Sequence, residues 1–161
     1  MLAGTRTTLP DATDLAFLAE ALSEANAYRA KHYAPRLTMD PRLVAYARRR
    51  AASWSQHRPP DAGRDGTGES VYWGASSGTP RTASEAVIAW YDQVAHYDWA
   101  APPGDPARTA DFSRLVWKDT THVGAGRVAG QGPIFYETYI VFVFEPPGNV
   151  PGRYAGNVLH P

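Results

Sequence analysis

The sequence predicts an α+β layered domain, on three observations. Three stretches carry apolar residues at helical spacing, they alternate irregularly with short strand-like runs, and the last third reads as an antiparallel β-hairpin. A regular strand–helix alternation would instead have pointed to a doubly wound parallel sheet. At 161 residues the chain can build one sizeable core and not two, so a single domain over residues 14–161 is expected.

Residues 1–13 show no periodicity and read as a mobile arm. From Asp14 onward Leu15, Leu18, Leu22 and Ala25 form one apolar stripe, the first helix. "YAPRLTMDP" breaks it, and Asp40 followed by Pro41 opens the second: an N-cap carboxylate, then a proline at the first helical position. That helix should turn Leu43, Tyr46, Ala47, Ala51 and Trp54 inward, with Arg48 to Arg50 mainly on a solvated face. "HRPPDAGRDGTG" is a loop, "ESVYWG" a short extended segment and "SSGTPRTAS" a second loop. A third helix begins near Ser84 and buries Val87, Trp90, Tyr91 and Val94. "DWAAPPGDPARTA" is too rich in proline and glycine for a regular element. "HVGAGRVA" and "PIFYETYIVFVF", joined by a "GQG" turn, make the hairpin, and the tail from Glu145 is a wrapping coil.

Composition excludes several classes of function. Sixteen basic and sixteen acidic side chains cancel, which gives no electrostatic case for nucleic acid as a partner. No apolar run reaches membrane-spanning length, and "MLAGTRTTLPDAT" lacks the basic start and apolar stretch of a leader. Cysteine is absent, which removes disulfides, thiolate catalysis and cysteine-based zinc sites together.

The motifs are weak taken singly. "GASSG" at Gly74 to Gly78 matches the nucleophile-elbow pattern, yet Ser76 is followed by Ser77, Gly78, Thr79 and Pro80 rather than by a helix, so it reads as loop. "DAGRDG" at Asp61 to Gly66 echoes a calcium loop but has Tyr72 where a bidentate glutamate is required. His32, His96, His122 and His160 have no evident partners and read as surface or strand residues. His57 closes a helix, and Glu69 follows twelve residues later, after Gly66 and Gly68, a pair that could serve acid/base or metal chemistry.

Five segments in order resemble one known family. "ANAYRAKHYAPRLTMDPRLVAYARRRAASWSQH" is similar to the opening of the CAP superfamily, which contains cysteine-rich secretory proteins, antigen 5 and plant pathogenesis-related proteins. Asn26 and Arg29 match its His-Asn-x-x-Arg helix, with Ala25 in place of the histidine. "GESVYWG", "AVIAWYDQVAHYDW", "DFSRLVWKDTTHVGAG" and "FVFEPPGNVPGRY" resemble its later motifs, so the likeness runs from about Leu18 to Tyr154.

The resemblance implies a three-layer α-β-α sandwich around a central, mainly antiparallel sheet, and export from the cell. It also implies a central cleft of two histidines and two glutamates that holds zinc in some members. Carried over, those positions are His57, Glu69, Gln93 and Asp111, so two of the four have changed, and Ala125 and Phe144 stand at two of the family's cysteine positions. His57, Glu69 and Asp111 could still ligate zinc or another divalent cation weakly. The preferred reading is a polar cleft without a resident cofactor, in which Asp111 accepts from His57 and Gln93 is a neutral filler. The expected function is a secreted, non-enzymatic module for a sterol, fatty acid or other apolar ligand, with the Asp98–Ala110 loop and its Trp99 at the ligand. The rivals are a hydrolase with His57 as base oriented by Asp111 beside Glu69, and an extracellular protein-interaction module.

Overall fold

A computed structural model describes residues 6–57 and 61–161. The elements run α1 (Leu15–Lys31), β1 (Thr38–Met39), α2 (Pro41–Ser55), β2 (Gly68–Ser76), α3 (Ala83–Tyr91), a 3-10 turn (Asp92–His96), α4 (Pro106–Leu115), β3 (His122–Gln131), β4 (Tyr136–Glu145) and a one-turn α5 (Tyr154–Asn157). The sheet order is β1-β3-β4-β2, antiparallel except for the short parallel pairing of β1 with β3. It forms the middle layer of an α-β-α sandwich.

Strand β4 explains the layering. It lies between β3 and β2 and is buried on both faces, so it reads as a continuous apolar run rather than an alternating one. Tyr139, Val141 and Val143 face α2 with Leu43, Ala47 and Ala51; Ile140, Phe142 and Phe144 face the layer of α1, α3 and α4. Helix α2 lies directly on β3, which requires glycine beneath it. A Cβ at Gly124 would sit 2.1 Å from the Leu43 carbonyl carbon, and one at Gly126 would sit 2.5 Å from the Arg48 nitrogen.

Asp40 caps α2 as anticipated, accepting from the Arg42 amide at 2.8 Å; Asp14, where the first helical stripe begins, also caps its helix by accepting from the Phe17 amide at 2.8 Å. Helix α3 starts in a full capping box, Thr82 with Glu85.

Four expectations need correction. The α1 face is rotated: Phe17, Ala21, Ala25, Asn26 and Arg29 are buried, Leu18 and Leu22 flank the core, and Leu15 is exposed. Alanines at 21 and 25 let α1 approach the neighbouring helices more closely than leucines would. "DWAAPPGDPARTA" contains the start of α4, with Asp105 accepting from the Ala107 amide at 3.0 Å before Pro106. From Arg6 the N-terminal segment is a strap rather than a loose arm. Ala129 N–H donates to Pro10, Ala12 N–H donates to Arg127, and Asp11 bridges to Val128, which covers the outer edge of β3 that β1 leaves open. Finally, His32 is fully buried. Its Nδ1 donates to the Leu159 carbonyl at 2.6 Å and its Nε2 accepts from the Tyr91 hydroxyl at 2.8 Å, so the neutral ring is fully satisfied and ties α1 to the C-terminal segment.

Burial lowers the His32 pKa below the ordinary imidazole value. The unfolded chain therefore binds a proton here more readily than the folded one, and this contribution to stability is present above about pH 6.5 and lost as pH falls from there. Urea unfolding at pH 7 and pH 5 should show lower stability at pH 5, with the difference reduced in His32→Gln. An unchanged difference in the variant would remove His32 from that role.

Candidate functional site

The four positions carried over from the family occupy three environments. His57 follows α2 in a left-handed conformation, φ 59°. Its half-exposed ring places Nε2 3.0 Å from the Tyr139 hydroxyl and 3.9 Å from Glu137 Oε1. The strap brings Arg6 to the same spot, where Nη1 and Nη2 donate to the two Glu137 oxygens at 2.9 and 2.8 Å. That guanidinium holds the Glu137 carboxyl below the usual carboxylate range.

Glu69 is gripped by α2. Arg50 donates from Nε at 2.6 Å and Nη2 at 3.0 Å, and the Trp54 indole adds a bond at 3.2 Å. Arg50 also reaches Asp61 at 2.7 Å. Arg50 is therefore buried, contrary to its placement on a solvated face; Arg48 and Arg49 alone are exposed there. Glu69 pairs in register with Val143, whereas Tyr139, which holds His57, pairs with Trp73. Four residues of strand, about 13 Å, thus separate the two backbone positions.

Gln93 and Asp111 do meet, on the opposite face of the sheet. Gln93 Oε1 accepts from the Asp111 and Phe112 amides at 2.9 and 3.0 Å, and its Nε2 donates to Asp111 Oδ2 at 3.1 Å. Asp111 Oδ1 accepts from Arg114 Nη1 at 3.0 Å, and the same nitrogen donates to Ser70 Oγ at 2.8 Å. Ser70 follows Glu69 on β2, so the two side chains leave the strand on opposite faces. Burial lowers the pKa of Arg114, with Asp111 acting in the other direction.

The two altered positions fit each other. A glutamate at 93 would set a second carboxylate against Asp111, whereas the glutamine both accepts from two amides and donates to that carboxylate. Arg114 supplies the balancing charge. Gln93→Glu should cost about 1–3 kcal/mol at neutral pH through the lost donor and the facing charges. The loss should shrink as pH falls and the introduced glutamate takes up a proton. Equal melting points for the two proteins at pH 7 would sink this account.

This arrangement corrects the predicted cleft. His57 bonds Tyr139 and not Asp111, whose oxygens go to Gln93 and Arg114. Zinc does not fit the groups present. The carboxylates of Glu69 and Asp111 are already taken by their own cations and N–H donors, His57 Nε2 by a hydroxyl, and the set is divided by the sheet. Among the described residues no three His, Asp or Glu side chains converge. Trp99 was expected at an apolar ligand; its ring instead packs at 4.5 Å from Tyr97 and stacks with His32 at 6.1 Å, against the buried layer of α1 and α4. Ser76 Oγ donates to the Thr79 carbonyl at 2.6 Å in a turn.

A different feature carries no family motif. Beneath the β3–β4 turn lies a pocket of about 300 Å³ lined by Trp73, Pro133, Ile134, Phe135 and Tyr139, with His57 and Glu137 at its polar side. Ile134 is 79% exposed, Phe135 52% and Trp73 51%, so three large apolar side chains face solvent around it. The only signal for it in the sequence is "PIF" at a hairpin turn, where polar residues are the rule.

Fold and site together define a single-layer sheet between one helix and three, with a self-paired polar clasp at the edge of β2: a member of the α-β-α sandwich class anticipated above. The chain belongs to the cysteine-rich secretory protein family, whose model matches residues 22–144. It is 28% identical over 148 residues to the human Golgi-associated plant pathogenesis-related protein 1, covering 88% of this chain and 92% of that one. It is 32% identical over 145 residues to a probable pathogenesis-related protein of Arthroderma benhamiae, covering 84% of this chain and 46% of that one. Protein PRY2 of Saccharomyces cerevisiae is 30% identical over 148 residues, covering 89% of this chain and 41% of that one. The chain therefore spans nearly all of the human relative and less than half of the two fungal ones. Among solved structures, BmVAL-1 superposes with TM-score 0.69 at 18% identity, covering 86% of this chain and 81% of that one. NaASP2 with Zn2+ superposes at 0.65 and 18%, covering 85% and 83%. These two establish the fold alone. Among the described residues no helix is long and apolar enough to cross a membrane.

Proposed function

We propose that this domain is a non-catalytic, extracytoplasmic binding module that takes a small apolar ligand in the pocket beneath the β3–β4 turn. The observation that carries this reading is the exposure of Trp73, Ile134 and Phe135 around a concave apolar site. Large apolar side chains grouped at a cavity mark a binding surface more often than single scattered ones do. Placement outside the cytoplasm rests on the family, two of whose similar members carry venom-allergen names. A hydrolytic role is disfavoured because His57 lacks the orienting Asp111, and a resident metal because each candidate ligand has its own partner.

The test uses N-phenyl-1-naphthylamine, a neutral apolar fluorophore, titrated into the full chain. One site is expected, weakened at least about 10-fold in Ile134→Ser/Phe135→Ser, since each exposed side chain adds apolar contact worth about 1 kcal/mol or more. Both substitutions are at exposed positions, so folding should persist. Binding that is absent, or unchanged in the variant, would overturn the proposal, and a parallel zinc titration showing tight binding would overturn its metal-free part.

A further inference from the structure

The segment ahead of β2 contains an aspartate–glycine pair, Asp65 and Gly66, at the corner of a turn. The Thr67 amide closes that turn by donating to the Arg64 carbonyl at 3.2 Å, and the Thr67 hydroxyl donates to the same oxygen at 2.7 Å. Asp65 and Gly66 are both exposed. Gly66 has φ +82°, a left-handed conformation that favours glycine at the third position of a turn. A Cβ at Gly66 would meet nothing within 4 Å, so the corner stands clear of neighbouring atoms. The chain is fixed on either side of this tip. On one side Arg50 donates to the Asp61 carboxylate at 2.7 Å and to the Asp61 carbonyl at 3.1 Å. On the other, Gly68 enters β2 opposite Phe144, where a Cβ would lie only 2.4 Å from the Pro147 carbonyl oxygen.

An aspartate followed by glycine is where a main chain rearranges most readily. Attack of the next residue's amide nitrogen on the aspartate Cγ closes a five-membered ring, and a side chain on that next residue hinders the approach. Glycine has none, and it passes between backbone conformations at little cost. No other aspartate of this chain is followed by glycine. Asp40 and Asp105 precede prolines, which have no N–H to give. Asp61 and Asp111 are held by Arg50 and Arg114, and Asp14 by the Phe17 amide that it caps.

We propose that Asp65 is a site of spontaneous isoaspartate formation in the folded protein, left as open to the reaction by the fold as it is in the unfolded chain. The Gly66 nitrogen attacks Cγ of the protonated Asp65 carboxyl. A new N–Cγ bond replaces the Cγ–OH bond, and the amide proton and the hydroxyl leave as water. A second water then opens the imide. Cleavage of N–Cγ restores aspartate. Cleavage of the bond from nitrogen to the main-chain carbonyl carbon sends the chain through Cγ and frees the old carbonyl as a carboxylate. Mass and formal charge end unchanged, and the main chain gains one methylene. That methylene falls at the exposed tip between the two anchors, so the grip of Arg50 on Glu69 and the pairing of β2 are kept.

The test is ageing of the full chain at pH 6 and 37 °C, both folded and in guanidinium chloride, followed by peptide mapping. Isoaspartate is read as a peptide of unchanged mass and shifted retention that endoproteinase Asp-N no longer cuts before residue 65. Asp65 should convert at least about 10-fold faster than any other aspartate, a barrier difference of about 1.4 kcal/mol. Its rate in the folded protein should stay within a few-fold of that in the unfolded chain. Asp65→Glu, whose ring would need six members, should lower conversion at this position at least about 10-fold. The isomerised protein, separated by chromatography, should melt within about 2 °C of the fresh one, as expected of a change confined to an exposed tip. Faster conversion at another aspartate, or a folded rate about 10-fold or more below the unfolded one, overturns the proposal. A larger fall in melting point would show that the tip bears structure, and would overturn its independence from the two anchors.

Discussion

Replacing Arg29 by alanine should remove more than about 3 kcal/mol of stability, a large share of the 5–15 typical of a domain. The side chain is fully buried and, among the described residues, pairs with no carboxylate. Its Nε donates to the Pro35 carbonyl at 2.8 Å, Nη1 to Leu115 at 3.1 Å and Trp117 at 2.8 Å, and Nη2 to Thr120 at 2.9 Å. One guanidinium thus satisfies the end of α4, the turn after α1 and the approach to β3. Burial pulls its pKa down to about 10, so it remains charged at neutral pH and suits the negative end of a helix dipole. Alanine would leave three buried acceptors without a donor, and a fourth, part-buried one at Pro35, each buried one worth about 1–3 kcal/mol where water does not reach. Lysine should recover only part of the loss, because a point ammonium cannot span the same fork. Urea unfolding of both variants checks this, and a loss below about 1 kcal/mol for alanine would mean that water reaches the four carbonyls.

Asn26, one helical turn before, has the same character: its carboxamide accepts from the Leu37 amide at 2.7 Å and donates to the Leu37 carbonyl at 3.3 Å. The Asn-x-x-Arg pair that pointed to the family is a structural clamp for irregular backbone. This is why the fold could be anticipated from motifs whose chemistry suggested nothing catalytic.

The parts that were legible are those governed by local rules. The apolar run of β4 needs burial on two faces, and the Asp-Pro start of α2 fixes its cap whatever packs against it. Asp105 and Pro106 repeat that signal for α4, and the dense prolines and glycines around them hid it. The Asp111 and Arg114 spacing of three residues was likewise an ion pair waiting to be read on a helix, once α4 is granted. The rotation of α1 was not legible. Leu15, Leu18 and Leu22 outrank Ala21 in hydrophobicity, and only the closeness of the neighbouring helices favours the alanines. Nor was the division of the predicted cleft. Motif order places residues along a chain, but Glu69 and Ser70 differ by one position and face opposite sides of the sheet. The pocket by His57 depends on the end of α2 meeting Trp73 of β2 and the turn at residues 133–135, a long-range encounter that no local pattern encodes.

Trp117→Ala should be the other severe change. The chain has no cysteine, so no disulfide shares the load, and the tail after β4 is held by packing and hydrogen bonds. Trp117 is 2% exposed, and its ring meets Tyr154 edge to face at 5.1 Å. Gly148, at φ +73°, lets the tail pass close by: a Cβ there would lie 3.2 Å from Trp117 Cγ. The indole therefore anchors the C-terminal segment, whose Asn157 carbonyl and side chain in turn accept from Lys118 and Asp119 N–H. Removing a buried indole costs about 3–5 kcal/mol, which for a domain of this size lowers the melting temperature by about 6–20 °C. The tail should loosen with it, so hydrogen exchange at Lys118 and Asp119 should rise well beyond what Ile140→Val produces at the centre of the sheet, where a lost methyl costs about 0.5–1.5 kcal/mol. A melting shift of one or two degrees with exchange unchanged at those two amides would show that the tail is held without Trp117.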